Sequence, residues 1–205
     1  MIQAVTTAAA HQVIDFWFTE LTAKQWFAKD IELDQQIQSR FSTLLTQASQ
    51  GECWQWRQSA PGRLAEIIVL DQFSRNIYRD SAQAFAQDAM ALVLAQEAVA
   101  LQQDKLLAPE QRAFLYMPYM HSESAVIHQQ ALVLFAQPGL ENNYAFELKH
   151  KDIIDRFGRY PHRNALLGRT STAAEERFLA QPGVAPREKF AAFDAINENF
   201  ICCLI

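Results

Sequence analysis

Apolar residues recur at spacings of three, four and seven along almost the whole chain, and this period constrains the fold more than any other feature. Ile31, Ile37, Phe41, Leu44, Leu45 and Ala48 form one such stripe, closed by Gly51. A second helix begins after Pro61-Gly62 and carries Leu64, Ile67, Ile68, Phe73 and Ile77. Ala84 to Gln103 holds no breaker and is rich in Ala, Leu and Gln, so it reads as one long helix. Glu110 to Met117 and Ser122 to Phe135 follow. They are divided at Pro118, because a proline pushes the residue before it out of the helical region. Leu140 to Phe157 is stopped by Gly158, and Thr172 with Glu175 is a capping box that opens another helix. Phe190 to Cys203 has the period of a last one. Val69-Leu70 sits in a short apolar run that a strand would suit, but its flanks Leu64 and Ile77 favour a helix. The expectation is an all-α chain of antiparallel helical hairpins joined by short loops. No Gly-, Ser- or Pro-rich linker divides it, so 1–205 is expected to be a single compact domain. No fixed repeat of about 34 residues survives inspection.

Composition narrows the function classes. Half of the residues are hydrophobic, with 14 Phe, which is ample for a core and too apolar for disorder. A net charge of -5 argues against nucleic acid as a partner. Cys53, Cys202 and Cys203 form neither a disulfide framework nor a CxxC metal spacing, and a reduced cytoplasm is the natural compartment. Met1 to Ala10 lacks the basic start and apolar core of a signal peptide, and no apolar run reaches the roughly 20 residues of a membrane span. Cys202-Cys203-Leu204-Ile205 formally fits the C-a-a-X prenylation pattern, but it reads as the end of an amphipathic helix. Nothing here fixes an oligomeric state.

Against that acidic background, Lys149 to Arg169 carries six Lys or Arg and only Asp152 and Asp155. Its densest part is Arg156-Phe157-Gly158-Arg159-Tyr160-Pro161-His162-Arg163-Asn164, where Gly158 and Pro161 break the backbone amid the charge. Loop residues of this kind serve binding or catalysis more often than packing. His162 has no apolar pattern to explain it and is the foremost functional histidine. His150 shares a helical face with Phe146, Ile153 and Phe157, so it should be buried or half-buried. His121 continues the spacing of Phe114 and Met117 and should point inward. Ser122 is a plausible N-cap, with Glu123 in the first turn, where the helix dipole favours a carboxylate. Asp71 and Arg75 lie one turn apart on the stripe begun by Leu64 and Ile68, so that ion pair should be half buried.

These residues do not spell a known chemistry. His121 and His128 are two turns apart, too far to chelate one ion together, and His150-Lys151-Asp152 is a bare HxD. No metal or cofactor is expected. Cys53 has no nearby base, the serines lack an elbow motif, and neither GxGxxG nor a P-loop occurs. Anion recognition remains, because arginine forks match carboxylate and phosphate, and Arg75, Arg156, Arg159 and Arg163 are available.

Three segments also match a known pattern. Asp71-Gln72-Phe73-Ser74-Arg75-Asn76, Met117-Pro118-Tyr119-Met120-His121-Ser122-Glu123 and the Arg156 to Asn164 segment resemble the signatures of bacterial domain-of-unknown-function family 924. Val13-Ile14-Asp15-Phe16-Trp17-Phe18 and Ala84-Phe85-Ala86-Gln87-Asp88 look similar too, so the resemblance runs from about residue 13 to 179. The family usually has Pro where this chain has Ser74, which implies a less rigid turn after Phe73. Gln181 to Ile205, a C-terminal helix and tail, has no counterpart. The resemblance implies a tetratricopeptide-like helical superhelix and no established activity. It also suggests one shared site holding Asp71, Arg75, His121, Glu123, His150, Arg156, Arg159, His162, Arg163 and Asn164.

The functional expectation is therefore a helix-lined polar cleft that binds a small anionic ligand or an acidic peptide. Arg75, His121, Arg156, Arg159, His162, Arg163 and Asn164 would do the binding. The alternative is a hydrolase-type enzyme, with or without metal assistance, in which His162 or His150 is the general base and Asp71 or Glu123 orients it. On either reading, truncating the loop residues His162 and Arg163 should cost less stability than truncating Asp71 or Arg75.

Overall fold

The structure, a computed structural model, describes residues 6–181. The helix expected over Phe190 to Cys203 and the C-a-a-X ending lie outside the described residues. Ten α-helices are found among the described residues, with π and 3-10 turns between them and no strand. The chain opens with α1 (Thr7–Asp15), a π turn (Phe16–Glu20) and the one-turn α2 (Ala23–Trp26). The expected stripe at Ile31 becomes α3 (Ile31–Ser49). Asp30 caps it by accepting from the backbone N–H of Glu32 and Leu33 at 2.9 and 3.1 Å. Its inner face is Leu33, Ile37, Phe41, Leu44, Leu45 and Ala48.

The centre of the molecule is a continuous helical stretch. It comprises α4 (Ala60–Ile68), a second π turn (Val69–Phe73) and α5 (Ser74–Ile77). Every residue from Leu64 to Arg75 is buried, because α1, α3, α6 (Asp88–Ala100) and α7 (Pro109–Met120) all pack around it. Phe73 is not followed by a turn: Ser74 continues the helix at φ -57. The two π turns meet through aromatic rings, with Phe16 and Trp17 lying 6.0 and 5.6 Å from Phe73 and Phe41 at 4.7 Å. Gly62 allows this helix to start where it does. A Cβ there would stand 2.1 Å from the carbonyl oxygen of Trp56, so no larger residue fits without moving backbone.

Three expected boundaries change. The stretch from Ala84 to Gln103 is not one helix: a 3-10 turn (Ala82–Phe85) comes first, and α6 begins at Asp88. Pro118 does not end α7, which runs through it to Met120. The bias of a residue before proline yields here to burial of everything from Ala113 to Met120. Ser124, rather than Ser122, precedes α8 (Ala125–Phe135), so Glu123 stands before the helix and not in its first turn. α9 (Glu141–Phe157) ends as expected, with Gly158 in the left-handed region at φ 67. The Thr172 capping box opens α10 (Ala173–Leu179) as expected. Ile153, Ile154, Tyr160 and Phe178 form a small second core that fastens the basic segment to α9 and α10.

Candidate functional site

A helix buried on all sides should be apolar throughout, yet the central one carries Glu66, Asp71, Gln72, Ser74 and Arg75. Buried charges persist only when paired. Glu66 is held by Arg57 through two bonds of 2.7 Å, a local clamp. Asp71 is held from three directions. One carboxylate oxygen lies 2.9 Å from Arg75 Nη1 and 2.8 Å from His121 Nδ1, and the other accepts from Gln72 Nε2 at 2.6 Å. The pair expected to be half buried is fully buried, with 8% and 1% of its side chains exposed. Burial opposes ionisation of Asp71, but Arg75, His121 and Gln72 outweigh it and hold the carboxyl well below the usual range. Burial first, and Arg75 second, push the His121 imidazole below its ordinary value against the pull of Asp71. His121 is therefore neutral near pH 7, and an ionised Asp71 selects the tautomer with a proton on Nδ1.

Arg75 links this group to the basic segment. Its guanidinium meets Asp88, in the first turn of α6, at 2.9 and 3.1 Å, and Arg163 Nη1 reaches the same carboxylate at 3.3 Å. Arg163 lies between two rings, 4.6 Å from the centres of Phe85 and Tyr160. Burial pulls its guanidinium down and Asp88 resists. Arg163 is thus a buried residue, 4% exposed, and not the exposed loop cation that the sequence suggested. Tyr160 is the hub of this region. His150 meets it edge-on and His162 tilted, at 5.9 and 5.5 Å between ring centres, and burial keeps its phenol protonated. Its hydroxyl donates to the Met120 carbonyl, and its backbone N–H donates to Glu123 at 2.7 Å. Burial raises Glu123, but the Arg169 side chain and this N–H outweigh it and keep the carboxylate ionised.

The structure thus brings Asp71, Arg75, His121 and Arg163 into one network, with His150 and His162 joined to it through Tyr160. Other expected members engage elsewhere. Arg159 pairs with Glu175 at 2.6 and 2.8 Å, which holds that carboxyl at about 2, and Asn164 donates to Ser171 at 3.0 Å. Exposed Arg156 pairs with Asp152 and covers Phe157 and Phe178. Asp88, Tyr160 and Arg169 were not foreseen as members. Nor was a second buried pair, His128 with Glu147 at 2.6 Å, whose Nε2 lies 2.8 Å from the Ser122 carbonyl and 3.2 Å from the Tyr160 hydroxyl. A signal for them existed in part: Asp88 and Tyr160 lie inside the family-like segments, and Glu147 is a charge on the buried side of α9.

A hollow of about 350 Å³ lies apart from this network, between α1 and the start of α4. Thr7, His11, Gln55, Trp56 and Ser59 line it, with neither arginine, lysine nor carboxylate among the described residues there. Among the described residues, no group of three His, Cys, Asp or Glu is placed to hold a metal ion, and no helix is long and apolar enough to cross a membrane.

Comparison with known proteins agrees with the resemblance read from the signatures. A family model described as a bacterial protein of unknown function, DUF924, matches residues 13–183. A solved structure of a protein of unknown function, ATU0120 from Agrobacterium tumefaciens, is similar with a TM-score of 0.82 and 35% identity. The match covers 86% of this chain and 99% of that one. No functionally curated protein matches.

Proposed function

The chain belongs to the DUF924 family of bacterial proteins of unknown function, and from that premise and the geometry we propose that it binds a small anionic ligand, or an acidic peptide end, at the Arg75–Arg163 network. The observation that carries this reading is a pair of unanswered donors. The Nε–H groups of Arg75 and Arg163 are both buried without an acceptor among the described residues, although Arg75 directs both Nη atoms to Asp88 and Arg163 directs Nη1 there. Arg63, Arg112 and Arg169 carry the same unanswered Nε–H, but Arg75 and Arg163 meet on one carboxylate, Asp88, and two such donors side by side favour an oxyanion or its bound water as the missing acceptor. Phe85 and Tyr160 hold the Arg163 fork in place in advance, which lowers the ordering cost of binding. Access would come past Asp88 and Phe85, the more open members, with Asp88 19% exposed. The Asp71–Asp88 part of the network lies where α6, α7 and the central helix pack together, which suits a tetratricopeptide-like arrangement of hairpins, and the cytoplasm suits the sparse cysteines.

The test is a thermal-shift and calorimetric screen of the full chain against phosphate, small dicarboxylates and a short acidic peptide. A ligand should raise the Tm of the wild type, bind more weakly as salt rises, and lose most of its affinity in Arg163→Gln. Equal binding by Arg163→Gln would place the ligand elsewhere.

A further inference from the structure

Two histidine rings in this protein are buried against a carboxylate, and they differ at Nε2. The Nε2 of His128 is taken by the Ser122 carbonyl and the Tyr160 hydroxyl. The Nε2 of His121 has no hydrogen-bond partner among the described residues. It is also not one of the unpartnered polar atoms sealed from solvent, so the 4% exposure that this side chain keeps falls at least in part on that nitrogen. An imidazole oriented by a carboxylate at Nδ1, with a lone pair open at Nε2, is the arrangement a general base needs. Next to it stands Arg75, whose buried Nε–H is also unanswered among the described residues.

We propose that Asp71 and His121 form a general-base pair that hydrolyses a small carboxylic ester bearing a second, anionic group; this rests on the reading above, in which Arg75 and Arg163 hold that anion. Water is the nucleophile, because no base among the described residues is hydrogen-bonded to the Ser74 hydroxyl and Cys53 is buried, with its thiol pushed up to about 12 by burial. His121 Nε2 takes a proton from water as the water oxygen bonds to the ester carbonyl carbon, and the carbonyl oxygen becomes an oxyanion. That intermediate collapses, the bond to the alcohol oxygen breaks, and the proton on Nε2 passes to the departing alkoxide. Acid, alcohol and neutral imidazole result. Asp71 is a positioning residue: it stays ionised, fixes the tautomer and steadies the imidazolium. The charged groups facing His121 are Asp71 and Arg75 from the central helix and Asp88 from α6.

The experiment follows release of 4-nitrophenol by the full chain from two probes, the anionic 4-nitrophenyl hydrogen succinate and the neutral 4-nitrophenyl acetate, across pH. The expected result is turnover that favours the succinate ester, a fall in kcat of about 100-fold or more in His121→Gln, and no change in kcat/KM in His128→Gln assayed well below its Tm. Asp71→Asn should lower kcat and move the acid limb of the profile to lower pH, since Asp71 raises the pKa of His121. A merely structural Asp71 would leave that limb in place. Arg163→Gln should raise KM for the succinate ester alone. Turnover unchanged in His121→Gln, or absent in the wild type with both probes, overturns the base. Turnover that needs His121 but ignores both Arg163 and substrate charge overturns the anion reading and leaves the base standing. Should His121→Gln fail to fold, nitrogen-15 shifts of the wild-type imidazoles decide. A proton on Nδ1 of His121 is expected, and a proton on Nε2 sinks the proposal.

Discussion

His121 and His128 lie seven residues apart, both are buried, and both face a carboxylate at hydrogen-bond distance, yet the two pairs are built for opposite ends. Asp71 has Arg75 and Gln72 beside it as well as His121, so its negative charge is well compensated and its carboxyl is held down. Glu147 has His128 as its one close partner, and burial raises its carboxyl instead. The carbonyl of Ser122 accepts from Nε2 of His128, which leaves Nδ1 facing Glu147. That pair is closed, with both ring nitrogens committed. The Asp71 pair is open at one. Burial depth alone does not separate a structural imidazole from a chemical one; the fate of the second nitrogen does.

Asp71→Ala should break the contrast hardest. It removes the principal partner of a buried arginine and leaves His121 without an acceptor, a loss of about 3–5 kcal/mol in unfolding free energy by urea titration. Next comes Arg163→Ala, at about 2 kcal/mol: its ion pair is buried, but Asp88 keeps Arg75 and some solvent. His162→Ala should cost roughly 1 kcal/mol, the ordinary size for a half-buried side chain. A difference between these two variants smaller than the error would mean that the Arg163–Asp88 contact contributes nothing. Glu147→Gln should cost about 1 kcal/mol or less, because it replaces a carboxyl already pushed toward its neutral form by a neutral amide of the same shape. A loss as large as that of Asp71→Ala would show that Glu147 is charged, and would erase the distinction between the two pairs.

The smallest effect is a matter of sign. The folded carboxyl of Asp71 is depressed, so its contribution is complete above the ordinary value of about 3.9 and is lost as pH falls toward the folded one. Glu147 is raised, so its contribution is present below about 4.3 and is lost as pH rises through the folded value. Urea midpoints measured from pH 3 to 7 should therefore show opposite trends, with pH in that range set by the ordinary carboxyl values of roughly 3.9 to 4.3. The gap between wild type and Asp71→Asn should narrow as pH falls, and wild type should lose ground to Glu147→Gln as pH rises. Parallel curves would refute the assignment of the two protons.

The helices with long apolar stripes, α3 and α9, were legible because period and cap agree at each end. The capping box at Thr172 was legible for the same reason, being a purely local signal. The π turns were not: an i to i+5 bond leaves no composition mark, and the spacing of Leu64, Ile68, Asp71 and Arg75 fits a regular helix equally well. Polar residues within apolar stripes pointed to His121 and His150 as inward, and to Asp71 and Arg75 as half buried, short of the full burial they have. Their partners were out of reach, because Asp88, Glu147 and Tyr160 meet them only across long sequence separations. In the sequence Arg163 reads as a loop residue of little weight for stability, because nothing local shows that Phe85 folds over it.

The π turn at Val69–Phe73 also bears on how the chain can change length. Each residue of an α-helix advances the side chains by about 100°, so gaining or losing one elsewhere in Ala60–Ile77 would swing Arg75 away from both Asp88 and Asp71. A wide turn holds an extra residue while the segments on either side keep their mutual phase. Deleting one residue there would leave an ordinary helix with Ile68 and Ser74 still seated, but without the widened backbone at which the Asp71 carbonyl accepts from Arg75. The segment therefore works as a spacer: insertions and deletions should be tolerated for folding at this one place along the core helix, and should silence the network while leaving the scaffold intact.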